Sequence, residues 1–178
     1  ILFGKKFKIF EEDKEILYRL SNYFIQDTEK CTSMGMDVAK GILLTGPVGC
    51  GKTSIMKLMK FIVPLQRPYE VISTRNITFG FNHIGYKTVE DYGNSGYFCF
   101  DDLGLEPEGK FFGQHCEVMG EILISRHDLF QRHKIKTHVT TNLSAGELEE
   151  RYGERVRSRM RQLFNLVSFD ENAKDKRI

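Results

Sequence analysis

The 178-residue sequence predicts an α/β domain of three layers, with helices on both faces of a five-stranded parallel sheet. Three observations predict it. Short apolar runs alternate with amphipathic stretches of helical period. One run, GILLTG (41–46), leads straight into the glycine-rich turn GPVGCGKT (46–53) and then a helical pattern. Another, YFCFDDLG (97–104), ends in two adjacent acids.

The elements follow in order. Residues 11–30, EEDKEILYRLSNYFIQDTEK, place Ile16, Leu20, Tyr23 and Phe24 at helical spacing and predict one amphipathic helix. Residues 1–38 form an N-terminal helix and linker; residues 39–178 form the core, and the two make one compact domain. GILLTG is bounded by glycines and suits a buried parallel strand. KTSIMKLMKFIV (52–63) predicts a helix stopped near Pro64. YEVIST (69–74) predicts a second strand. Residues 75–96 show no clear pattern. YFCFDDLG is a third strand. QHCEVMGEILISRHDLFQRH (114–133) predicts a long helix with a core stripe of Val118, Met119, Ile122, Leu123, Leu129 and Phe130. THVTTN (137–142) is a fourth strand. Ser144 and Glu147 then form an S-x-x-E capping box. The helix continues after a break at Gly153, and LVSFD (166–170) is a fifth strand.

Composition bounds the function. Forty per cent hydrophobic and 28% charged is ordinary for a globular chain of one domain. A net charge of +2 permits nucleic-acid binding without arguing for it, so any DNA contact needs a local patch. Cys31, Cys50, Cys99 and Cys116 form no C-x-x-C pair, which suggests reduced thiols in a cytoplasmic protein. No apolar run reaches the length of a membrane span, and no signal peptide is visible. The first residue is Ile1, not Met, and further chain is expected ahead of it.

The turn GPVGCGKT fits G-x-x-x-x-G-K-[ST], a phosphate-binding pattern. Gly46, Gly49 and Gly51 let the backbone of Gly46, Pro47, Val48, Gly49, Cys50 and Gly51 curl, so that its N–H groups face a phosphate. Lys52 can reach the β- and γ-phosphates of ATP, and Thr53 can ligate Mg²⁺. Asp101, at a strand end about 50 residues later, can aim a carboxylate at the Mg²⁺ shell. Asp102 beside it can polarise the attacking water. Asn142 closes the fourth strand at the same carboxyl edge of the sheet, where it can hold water against the γ-phosphate. It can also simply turn the chain into the helix capped by Ser144.

GERVRSRMRQ (153–162) carries arginines at 155, 157, 159 and 161. On a helix these form two pairs, Arg155 with Arg159 and Arg157 with Arg161, on roughly opposite sides. Either the helix is simply solvated, or one pair serves a site on another subunit. GKFFG (109–113) is a basic–aromatic loop. Its Lys110, Phe111 and Phe112 can stack single-stranded bases or make a plain hydrophobic contact.

Taken together, GPVGCGKT, CFDDLG, THVTTN and YGERVRSRMRQ resemble the AAA+ ATPases of the DnaC/DnaI helicase-loader and IstB transposition-helper group, over about residues 40–170. The resemblance implies a P-loop NTPase core whose Asn142 strand lies between the P-loop strand and the Asp101 strand. It implies slow, oligomer-dependent ATP hydrolysis with Mg²⁺, Asn142 as sensor 1, and Arg159 as the arginine finger, with Arg155 on the same face. Arg157 and Arg161 would then be solvated or bind DNA phosphates. It also implies a homo-oligomer in the ATP state, and a replicative helicase or a transposase as partner through a region not visible here. Asp102 stands where most AAA+ members have Glu, and no C-terminal helical lid is expected. Helicase loader and transposition helper stay open, as do a nucleotide-gated interaction module with little turnover and a small P-loop kinase.

Overall fold

Residues 41–45 are largely buried, as an interior strand of a parallel sheet must be. They form β1 (Gly41–Thr45) of the computed structural model, which describes residues 9–62 and 68–176. The other strands of the sheet are β2 (Glu70–Ser73), β3 (Phe98–Leu103), β6 (His138–Thr141) and β7 (Phe164–Ser168). They pair in parallel in the order β2-β3-β6-β1-β7. The Asn142 strand therefore lies between the P-loop strand and the Asp101 strand, as the resemblance implied. Among the described residues, no helix follows β7.

Helices cover both faces. On one, α1 (Lys14–Phe24) and α3 (Lys52–Ile62) bury Ile16, Leu20, Tyr23, Ile55 and Met59 against Ile42, Leu44 and Val167. On the other lie α4 (Thr74–Ile84), α5 (Tyr86–Gly93), α6 (Val118–His133) and α7 (Ala145–Leu163). They bury Ile77, Phe81, Ile122, Leu148 and Met160 against Leu43, Phe100 and Val139. Burial of large apolar side chains at about 25 cal/mol per Å² is the main stabilising force in both cores. Val63 and Pro64, where the sequence predicts α3 to stop, lie outside the described residues.

The structure corrects several sequence expectations. The helix expected over 11–30 is a 3₁₀ turn (Glu11–Asp13), α1 and α2 (Thr28–Ser33). Gln26 takes a left-handed conformation, φ 61°, and its amide donates to Tyr23 O, which ends α1. Asp27 then caps α2, accepting from Lys30 N–H at 3.0 Å. The unpatterned stretch 75–96 is mostly helical, as α4 and α5 joined at Gly85, φ 62°. The helix expected from 114 starts at Val118, because Gln114–Cys116 is β5, paired with β4 (Gly109–Phe111) in a hairpin. The last strand begins two residues earlier than expected, at Phe164. Two expectations hold at α7: Ser144 and Glu147 form a capping box, and Gly153 breaks the helix at φ 81°.

Candidate functional site

The loop between β1 and α3 is tightly wound. Gly46, Gly49 and Gly51 have φ values of 154°, 83° and 102°. The last two lie in the region that favours glycine. At Gly46 the need is space, since a Cβ there would lie 2.6 Å from Phe169 Cβ. Val48 is exposed at the loop's crest, while Cys50 is fully buried beneath it. Pro47 borders a cavity described below. Lys52, the first residue of α3, is only 5% exposed. Its Nζ donates to Gly46 O at 2.7 Å and Pro47 O at 2.8 Å. Burial holds its ammonium below the usual lysine range, against the opposing pull of Cys50, Asp102 and Asp101. A phosphate on the loop would compete well for this ammonium, since its present oxygen partners are neutral carbonyls and an ionised acceptor bonds it more strongly.

Next in sequence, Thr53 joins the loop to β3. Its Oγ1 donates to Asp101 Oδ1 at 2.9 Å. Thr140 Oγ1, from β6, donates to the same oxygen at 2.6 Å and accepts Asp102 N–H at 2.9 Å. The β3–β6 register shifts between Phe100 and Leu103, so the two acids sit on a bulge. Asp102 has φ 60°, uncommon for a non-glycine residue and typical of strained functional positions. Thr74 Oγ1 holds it from the far side by donating to its carbonyl at 3.0 Å. Sequence reasoning singled out Asn142 in THVTTN and missed Thr140. A hydroxyl residue at a buried strand end beside two acids was the available signal.

Asn142 follows β6 directly. Thr141 pairs with Thr45, so Asn142 and Gly46 leave neighbouring strands at the same level. Both line a cavity of about 350 Å³ with Pro47, Ser144, Ser168 and Arg157. Arg157, expected to be solvated or to bind DNA phosphates, lines this cavity half-buried. Arg155 and Arg159 share a different, open recess on the outer side of α7, with His127, Ser158 and Gln162. Arg159 Nη1 lies 3.0 Å from His127 Nδ1 and 3.2 Å from Asp128 Oδ1. Arg161 is exposed and 3.7 Å from Glu149.

A segment after β7 crosses the loop. Lys176 N–H donates to Gly49 O at 3.0 Å, and the Asp175 carboxylate lies directly against Gly49. Lys176 Nζ is anchored by an ion pair with buried Asp13. This strap left no trace in the sequence pattern.

Elsewhere, GKFFG is the tip of the β4–β5 hairpin. Phe111 packs on Phe81, whereas Phe112 is 92% exposed. The four cysteines are buried free thiols. Among the described residues, no three His, Cys, Asp or Glu side chains gather as a metal cage. Mg²⁺ binds through one or two protein oxygens plus phosphate and water. Thr53 and Asp101 present such hard oxygens together, and the wound loop with Lys52 fits a polyphosphate.

The fold recurs in solved structures. The structure of the DnaC helicase loader superposes with a TM-score of 0.63 at 18% identity, covering 95% of this chain and 96% of that one. DnaI gives 0.63 at 17% identity, covering 94% and 90%. AMPPCP-bound DnaA from Aquifex aeolicus gives 0.60 at 16% identity, covering 94% of this chain and 50% of that one. The fold is that of the AAA+ core. No protein-family model and no curated protein sequence gives a match. No described helix is long and apolar enough to cross a membrane.

Proposed function

We propose that this chain is an ATP-binding and hydrolysing AAA+ module of the helicase-loader type, working in the cytoplasm on a nucleoprotein partner. One observation carries the reading. Lys52 and Thr53, Asp101, and Asn142 come from three separate segments to one sheet edge, while Arg155 and Arg159 face outward from it. The glycine-rich loop and Lys52 bind the ATP phosphates. Thr53 and Asp101 hold Mg²⁺, which screens the phosphate charge. Asp102 and Asn142 orient the water. Arg159, with Arg155 beside it, completes the site of a neighbouring copy in a homo-oligomer. The likeness to the DnaC helicase loader supports a replicative helicase as partner.

The test has two stages. ATP binding with Mg²⁺ is titrated first, and phosphate release is then measured as protein concentration rises. Hydrolysis per subunit is expected to grow with concentration, since each site needs a neighbour. Tight binding without release at any concentration would favour a nucleotide-gated module. A pull-down on the same protein is expected to recover a replicative helicase. Recovery of a transposase would move it to the transposition helpers.

A further inference from the structure

We propose that Arg157 is a nucleotide-binding residue that acts within its own subunit, binding the terminal phosphate of the nucleotide held on the same chain's loop. The inference rests on the nucleotide reading above and assigns a residue that reading leaves out.

Four observations converge. Arg157 lines the same cavity as Gly46, Pro47 and Asn142, the loop's first residues and the candidate γ-phosphate sensor. Its Nε is shielded from solvent and has no hydrogen-bond partner. Its guanidinium makes no ion pair with any described residue, whereas Arg159 meets Asp128 and Arg161 approaches Glu149. Two carboxylates border the cavity, and neither serves it: Glu147 accepts Ser144 N–H at 2.7 Å, and Glu171 is exposed.

A guanidinium Nε shut off from water without an acceptor is unfavourable, and an anion in reach would offset the loss. Burial also holds its pKa below the usual arginine range, aided by the nearby Arg161 charge and opposed by the weaker pull of Glu149. The cavity adjoins the end of the site where Asn142 sits, so the anion it fits is the terminal phosphate, not the one nearest the ribose. Arginine's planar fork suits phosphate oxygens, and it is always charged. Helix geometry separates it from its neighbours. Residues two apart fall on different sides of α7, so Arg157 faces its own sheet edge while Arg155 and Arg159 face outward. The chain thus presents one cation inward to its own site and two outward.

The experiment compares the wild type with Arg157→Gln and Arg157→Lys. A non-hydrolysable ATP analogue and ADP are titrated with Mg²⁺ at protein concentrations where the chain is monomeric, and the melting temperature of the nucleotide-free protein is recorded. Arg157→Gln is expected to weaken the ATP analogue about 10- to 100-fold, the scale of a charge-assisted hydrogen bond, and ADP less than about twofold. Its nucleotide-free melting temperature should hold or rise, because a shielded Nε donor without an acceptor is gone. Arg157→Lys should recover part of the ATP preference, keeping the charge but not the fork. Equal affinities in the wild type and both variants would overturn the inference and leave the nucleotide reading standing. Equal loss for ATP and ADP with a lowered melting temperature would make Arg157 a packing residue. A folded wild type that binds neither nucleotide would remove the nucleotide reading, and this inference with it.

Discussion

Thr140 Oγ1 lies 2.6 Å from Asp101 Oδ1, and the same carboxylate oxygen takes the hydroxyl of Thr53 at 2.9 Å. One oxygen thus gathers donors from the neighbouring strand and from the loop helix. Thr140 also accepts Asp102 N–H, so a single β6 hydroxyl sets both acids.

This arrangement separates three substitutions. Asp101→Asn is expected to abolish most of the Mg²⁺ dependence of ATP binding, because an amide is a poor Mg²⁺ ligand. Thr140→Val leaves the carboxylate but removes the group that aims it, and Mg²⁺ affinity should fall about 10- to 100-fold. Asp102→Asn should keep ATP and Mg²⁺ binding and lose most hydrolysis. Nucleotide titrations with and without Mg²⁺, alongside phosphate release, check all three. A normal Mg²⁺ dependence in Asp101→Asn would take the metal away from this edge.

Much of this site was legible in the sequence because its chemistry is local. The loop glycines, Lys52 and Thr53 are contiguous, and the acids follow an apolar run that can only be a buried strand. The capping box at Ser144 and the break at Gly153 were equally readable, since each depends on residues within one turn. What the pattern hid is tertiary. Helices α4 and α5 bury Thr74, Thr78 and Thr88, so their apolar stripes are thin. Strands β4 and β5 have three residues each, too short for an alternation to register. Arg126 reads as part of a surface segment, SRHD. It is in fact fully buried, donating to Thr137 Oγ1 at 2.7 Å and Ser95 O at 2.7 Å. Alternate arginines on α7 fix two faces, but only packing decides that Arg157 turns inward.

The strap over the loop yields a second prediction. The Asp175 carboxylate lies against Gly49, in a loop shaped to receive anions. A phosphate held there would be repelled by that carboxylate. Asp175→Ala is expected to tighten ATP binding by about threefold to tenfold, the scale of one partly solvated charge pair. The gain should shrink in high salt. Unchanged affinity at low salt would show that the strap leaves the phosphate path free.

His138 predicts how the fold responds to acid. It is 5% exposed at the start of β6, and its Nδ1 accepts Ile42 N–H at 3.1 Å. Burial, with Lys136 and Arg126 nearby, pushes its pKa down from 6.5 to about 3. The imidazole stays neutral in the folded chain, while the unfolded chain takes up a proton below 6.5. Its contribution is therefore fully present above pH 6.5 and is lost as pH falls toward 3, by about 1.4 kcal/mol per pH unit. His138→Gln keeps an acceptor and removes the titration. Urea unfolding between pH 4.5 and 7 should show a flatter decline for the variant. An identical slope would mean that other groups govern the acid limb.

Arg159 carries the last prediction. In the isolated chain it is engaged by His127 and Asp128, at 3.0 and 3.2 Å. The recess around it is open, and the Asp128 side chain is 54% exposed. A half-solvated pair of this kind is worth about 1 kcal/mol or less, so it holds the arginine in place without trapping it. A phosphoryl site in a neighbouring copy, poor in positive charge, would draw the arginine away. An arginine supplied from outside is worth about 10³ to 10⁵ in rate. Arg159→Ala should therefore leave stability nearly unchanged and abolish most hydrolysis. Lys52→Ala should lose nucleotide binding with the fold intact, since Lys52 bonds only loop groups. Mixing the two inactive proteins is the decisive measurement. In a mixed assembly, an intact Lys52 on one subunit meets an intact Arg159 on the next, and part of the activity should return. Failure of that rescue, with co-assembly demonstrated, would confine Arg159 to its own subunit. Full activity of Arg159→Ala alone would leave the His127–Asp128 contact as its whole role.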